Sequence, residues 1–268
     1  MYPRFEQFVK EKQYLQNVSI ATLSWYRHAA KWLPCESPDA DQLKQMVMAM
    51  REAGLKPTGA NAAIRAVNVY LKWSGSQHKV PQLKEPEFVL PTFSDIQIKL
   101  LVTSKPHDRL HLLVLVLLDS GCRISEALGL QWSDVDWDNC LLTLHGKGRK
   151  DRLVPFSHEL RKALWRQRGA DPCPFLWRFD RSSALRRVKT LCRRLGFAPP
   201  RRTLHAFRHT FALNYVRRGG SVFHLQKALG HSDLEMSRRY VSLQTGDMVA
   251  AHRSLLCDFS VPLASNRL

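Results

Sequence analysis

The chain contains no apolar run long enough to cross a bilayer. Its longest, Leu110 to Leu118, is interrupted by His111 and reads as a buried helix. The opening stretch MYPRFEQFVKEKQ offers neither the apolar core nor the small-residue cleavage site of a secretory leader. The six cysteines are scattered, with no C-x-x-C pair and no Cys/His cluster at zinc spacing. A disulfide framework and a structural metal are therefore not expected, and the composition suits a reduced, cytoplasmic protein. No G-x-x-x-x-G-K-[ST] loop is present to cradle a nucleotide, and no carboxylate cluster points to metal-assisted phosphoryl transfer. No internal repeat or low-complexity segment interrupts the chain. Acidic residues are also scarce, at 23 against 41 Lys and Arg.

What is present suits a folded protein. With 268 residues, 44% hydrophobic and 24% charged, the chain can bury one large core or two modest ones. Its net charge of +18 is unevenly placed: residues 161–218 carry sixteen Lys and Arg against only Asp171 and Asp180, an excess of +14. A solvated face normally mixes both signs. So one-sided a stretch repels itself unless a polyanion neutralises it, and without an amphipathic anchor that polyanion is nucleic acid rather than a membrane.

Periodicity divides the chain. Residues 1–75 read as a small all-helical domain. Ser19 caps a segment with Ile20, Leu23, Tyr26 or Arg27, Ala30 and Leu33 at helical spacing, stopped by Pro34. Asp41 opens a second helix with Leu43, Val47 and Met50 on its apolar face, and Thr58 a third with Ile64, Val67 and Tyr70 or Leu71. Residues 76–91, punctuated by Pro81, Pro86 and Pro91, read as a linker. The second domain, 92–268, begins with helices at Ser94–Thr103, Asp108–Ser120 and Ile124–Leu128. The apolar period then shortens: CLLTLH (140–145) and RLVPF (152–156) flank GKGRKD, a β-hairpin signature. Helices follow, the last at Val249–Leu256. The fold class is mainly α with a small β-hairpin or sheet.

Several basic residues sit at turns and helix starts. Lys147 lies between two glycines at the hairpin tip, Arg123 occurs in SGCRISEALGLQWSDVDW, and His205 and Arg208 occur in LHAFRHTFA. Three residues apart, His205 and Arg208 share a helical face. The stretch LGHSDLEMSRRY ends in Tyr240 after Ser237, Arg238 and Arg239, an unusual setting for a core tyrosine. Two separate arginines, a lysine and two histidines suit one phosphate whose charge grows in a transition state. Guanidinium binds its oxygens in bidentate fashion, and lysine can give a proton to a leaving oxygen.

In order and spacing, across roughly residues 92–245, these four blocks resemble the signatures of the tyrosine recombinases, the phage integrase family. The N-terminal helices resemble that family's SAM-like core-binding domain more loosely. The resemblance implies a C-shaped clamp on double-stranded DNA with inverted core sites, acting as a homotetramer on two sites, and no cofactor. It implies Tyr240 as nucleophile, Arg123 and Arg208 as the phosphate clamp, and Lys147 as the acid for the leaving 5′-oxygen. His205 then assists proton transfer from Tyr240, and His231 hydrogen-bonds the phosphate. Glu126 is expected to orient or buffer these charges, and His209 to be structural. The region before the core-binding segment is too short for an arm-binding domain, which favours a Xer-like or transposon-encoded type. A tail after Tyr240 bearing Met248, Val249, Leu255 and Leu256 is expected to pack on a neighbouring protomer. A telomere-resolvase or topoisomerase-like enzyme with the same residues is one alternative, and a non-cleaving DNA-binding accessory protein is another.

Overall fold

The computed structural model describes residues 2–86, 90–104, 109–146, 151–168 and 174–230. The chain forms two compact units, Met1–Phe88 and Val89–Leu268. Among the described residues it is mostly helical, as its periodicity predicts, with one three-stranded sheet. Among the described residues no helix is long and apolar enough to cross a membrane.

The first unit holds four helices: α1 (Pro3–Tyr14), α2 (Ile20–Ala30), α3 (Ala40–Glu52) and α4 (Pro57–Trp73). Helix α1 adds to the three helices expected from periodicity. It contributes Phe5 and Phe8 to an aromatic core with Tyr26 and Tyr70. Ser19 caps α2 as predicted, but Ile20 is 84% exposed, and the buried face is Leu23, Tyr26, Ala29 and Ala30. Helix α3 starts at Ala40, one residue earlier than predicted, because Asp39 and Gln42 form a reciprocal capping box. Pro57 rather than Thr58 opens α4, its fixed φ suiting a first helical position.

The proline-punctuated stretch after α4 packs back on the unit in part. Asn68 on α4 both donates to the Val80 carbonyl and accepts from the Val80 amide, each at 2.9 Å. Asn61, two turns earlier, does the same for Leu83 at 2.9 and 2.8 Å. Each carboxamide thus stands in for a strand neighbour, satisfying backbone groups that Val80, only 5% exposed, carries inward.

The second unit contains α5 (Asp95–Thr103), α6 (Arg109–Ser120), α7 (Ile124–Leu128), a single 3₁₀ turn (Trp132–Asp134), and strands β1 (Val135–Asp136), β2 (Leu141–His145) and β3 (Asp151–Pro155). Helices α8 (His158–Gln167), α9 (Arg181–Arg194), α10 (Thr203–Arg217) and α11 (Val222–Leu229) follow. Helix α6 is the central post, with Leu112, Leu113, Val114, Val116 and Leu117 each at most 2% exposed. Helices α5, α8 and α10 pack around it. The sheet is antiparallel in the order β1–β2–β3, and the β2–β3 register pairs Leu142 with Val154 and His145 with Asp151. The expected hairpin is present and gains β1, two residues that periodicity is too short to detect. The segment predicted as helix at Val249–Leu256 lies outside the described residues.

Candidate active site

Helix α6 stops where Gly121 takes a left-handed φ of +61°. A Cβ at Gly121 would lie 2.2 Å from the Phe211 ring, so the turn needs glycine on both conformational and steric grounds. This turn delivers Arg123 to the start of α7. On α10, which runs along α6, His205 and Arg208 lie one turn apart, with Leu204, Ala206 and Phe207 anchoring the helix in the core. Arg208 is 6% exposed and donates to the Gly121 carbonyl at 3.1 Å, which ties the two arginine-bearing segments together.

Both arginines meet at the end of α11. That helix closes on Gly230 in the left-handed region (φ +62°) and leaves its last carbonyls pointing outward, the negative end of the helix dipole. Three guanidinium groups take three successive carbonyls. Arg152 Nε donates to Ala228 at 2.8 Å, Arg208 Nη2 to Leu229 at 2.7 Å, and Arg123 Nη2 reaches Gly230 at 3.5 Å. The side chain of Arg123 remains 41% exposed, so this is the cation of the three most open to a ligand.

Glu126 sits beneath them, 7% exposed. Its Oε1 accepts from Arg123 Nη1 (2.8 Å) and Arg152 Nη1 (2.9 Å), and its Oε2 from the Arg123 amide (2.8 Å) and Arg152 Nη2 (2.7 Å). Burial by itself raises the carboxyl pKa. The hydrogen bonds from Arg152 and Arg123 outweigh that and hold it at about 2. The predicted orienting role for Glu126 thus has a geometry. A depressed folded pKa contributes stability that is complete above the unfolded value and disappears as the pH falls through the folded one. Acid unfolding should therefore include a step between the ordinary glutamate range and about pH 2 that Glu126→Gln lacks. Glu126→Ala, which leaves Arg152 buried without its counter-charge, should cost about 3–5 kcal/mol in urea melts.

His205 is accessible as a residue, yet protein crowds its ring. That loss of solvent, and then the charges of Arg181, Arg202, Arg208 and Arg123, lower its pKa. It is neutral at pH 7 and able to accept a proton. His209 is pushed lower, to about 4, chiefly by burial, and its half-buried neutral ring suits the structural role expected of it. Where the two hairpin strands end, next to the turn, His145 bridges Asp134 (3.1 Å) and Asp151 (3.0 Å), and hydrogen bonds to those two carboxylates raise its pKa.

Of the six residues singled out in the sequence, the structure brings Arg123, His205 and Arg208 together. Lys147, His231 and Tyr240 lie outside the described residues. The strand pair that flanks Lys147 ends at His145 and Asp151, and Gly230, the neighbour of His231, lies against Arg123. Arg152 was missed. RLVPF looks like a plain apolar run, but alternation with Val154 and Phe156, both buried, turns Arg152 inward and leaves Leu153 60% exposed.

Residues 97–246 match the phage integrase family, more than half of the chain. The chain is 27% identical over 221 residues to tyrosine recombinase XerA of Pyrococcus furiosus, covering 76% of each protein. It is 30% identical over 210 residues to XerA of Thermococcus kodakarensis, covering 72% of this chain and 74% of that one. The Tn1549 transposon integrase, solved in complex with transposon right end DNA, shares the fold with a TM-score of 0.76 at 20% identity, over 94% of this chain and 99% of that one. The chain belongs to the phage integrase family and is a tyrosine-type site-specific recombinase.

Proposed function

We propose that this enzyme cuts and rejoins duplex DNA through a 3′-phosphotyrosyl intermediate, without metal or nucleotide. The observation that carries this reading is the convergence of Arg123 and Arg208 on adjacent carbonyls at the end of α11, immediately before His231. In the proposed step the Tyr240 hydroxyl attacks phosphorus, the bond to the 5′-oxygen breaks, and a free 5′-hydroxyl leaves. Arg123 and Arg208 hold the non-bridging oxygens as charge builds on them, with His231 adding a hydrogen bond. His205, neutral at pH 7, takes the tyrosine proton, and Lys147 supplies one to the leaving 5′-oxygen. The new ester keeps the energy of the broken bond, so attack by another 5′-hydroxyl reverses it, and no energy source is required.

The +14 stretch at residues 161–218 supports a DNA backbone as partner, and the DNA in the Tn1549 integrase complex is consistent with that. Exchange between two inverted core sites requires four strand cuts, which suits a tetramer with one tyrosine per subunit. The test uses nicked DNA from the flanks of the enzyme's own locus, in the presence of a chelator and without nucleotide. A protease-sensitive covalent complex at the 3′ side of the cut, with a free 5′-hydroxyl, is expected. Cleavage that requires a divalent ion, or DNA binding with no covalent product, would overturn the reading.

A further inference from the structure

Three arginines cap α11, but they are not equivalent. The side chain of Arg123 is 41% exposed, and that of Arg152 only 13%. Arg152 spends its guanidinium on protein: two bonds to Glu126 and one, through Nε, to the Ala228 carbonyl. Its stem fills the space over Gly230, where a Cβ would come within 3.2 Å of Arg152 Cδ. All three of its guanidinium nitrogens are thus engaged by protein. A buried ion pair also adds little net stability over apolar packing of the same volume, so stability alone gives little reason for a charge here.

We infer that Arg152 is a positioning residue for strand cleavage, which fixes the Glu126 carboxylate beneath Arg123 and latches the end of α11 to the hairpin strand. The inference rests on the function proposed above. Its physical basis is the saturation of Glu126. A carboxylate has about four acceptor sites, and here Arg123 and Arg152 each donate to both oxygens. Without the fork of Arg152, the carboxylate is free to turn onto Arg123 alone and draw that guanidinium off the edge it presents to solvent. The same residue joins three stretches of chain: β3, which leads back to the Lys147 turn; α7, which follows Arg123; and the end of α11, from which the chain continues to His231 and Tyr240. Lysine cannot replace it, since one ammonium does not span two carboxylate oxygens and a carbonyl in that planar arrangement. The charges of Glu126, Arg152 and Arg208 all reach the neighbouring Cys122. Its thiol is pushed up to about 11, chiefly by burial, and so adds no charge to the cluster.

The full-length protein serves for the test, with Arg152→Gln and Arg152→Lys compared with wild type. DNA affinity, thermal melting and the single-turnover rate of covalent complex formation on nicked DNA are measured from pH 5 to 9. Arg152→Gln should bind DNA within about threefold of wild type and still melt cooperatively, yet form the covalent complex about 10²-fold more slowly, the scale of a slightly misplaced catalytic group. The ratio of wild-type to variant rate should grow toward pH 5, because Glu126 then protonates in the variant and not in wild type. Arg152→Lys returns the charge, so its ratio should stay constant with pH while the rate recovers only in part. Cleavage by Arg152→Gln at the wild-type rate overturns the inference. So does a loss that matches the unfolded fraction and shows the same pH profile in both variants. Failure of the wild-type protein itself to form a covalent complex would instead remove the proposed function.

Discussion

Tyr240→Phe should bind site DNA as tightly as wild type and form no covalent complex on nicked DNA, a loss of roughly 10⁴-fold or more, as when other enzymes lose their nucleophile. The substitution removes one oxygen and leaves the ring, so packing and charge are unchanged and any loss belongs to the chemistry. Tyrosine has a free pKa of ~10, and its hydroxyl attacks only when a base and nearby cations assist it. Such surroundings stand just before it in the chain. Arg123 and Arg208 are fixed at the end of α11, beside a histidine that is neutral at pH 7. A normal yield of covalent complex from Tyr240→Phe, on a denaturing gel, would move the nucleophile to another residue.

Lys147→Ala should lower cleavage of ordinary DNA by about 10²–10⁴-fold, the usual contribution of a general acid. Replacing the 5′-bridging oxygen by sulfur should restore most of the rate. A thiolate leaves without a proton, so the substrate supplies what the variant lacks. The strands on either side of the turn are fixed by the β2–β3 ladder and, at its last pair, by His145 between Asp134 and Asp151, so the truncation should leave the strands in place. Absence of sulfur rescue would transfer the acid role, with Lys150 the next lysine along the turn. Rescue in Lys147→Ala alongside no rescue in Tyr240→Phe would separate acid from nucleophile within one assay.

Much of the local structure was legible in the chain. Ser19 and Ser94 announce their helices because a hydroxyl at the N-cap accepts a bond from a free amide three residues on. The change from helical to alternating period at residues 140–156 marks the hairpin. Where the reading failed, a tertiary partner decided. Ile20 has the spacing of a buried residue but begins its helix outside the packed face. The stretch after α4 has linker composition, yet Asn61 and Asn68 hold part of it through backbone groups distant in sequence.

The sequence by itself determined the family and the mainly helical class, and it singled out Arg123, His205 and Arg208 as candidates, because their motifs rest on residue type and short spacing. It also determined the charge excess, which is a sum and needs no geometry. Only the tertiary structure decided how the cations are held. Arg152 meets Glu126 across 26 residues and Ala228 across 76, and Arg208 meets Gly121 across 87. Such contacts leave no local periodicity, since they depend on which face of β3 turns inward and where α11 stops. A motif can name the residues of a site, but the angle of a guanidinium is set by the carbonyls and carboxylates that folding brings to it.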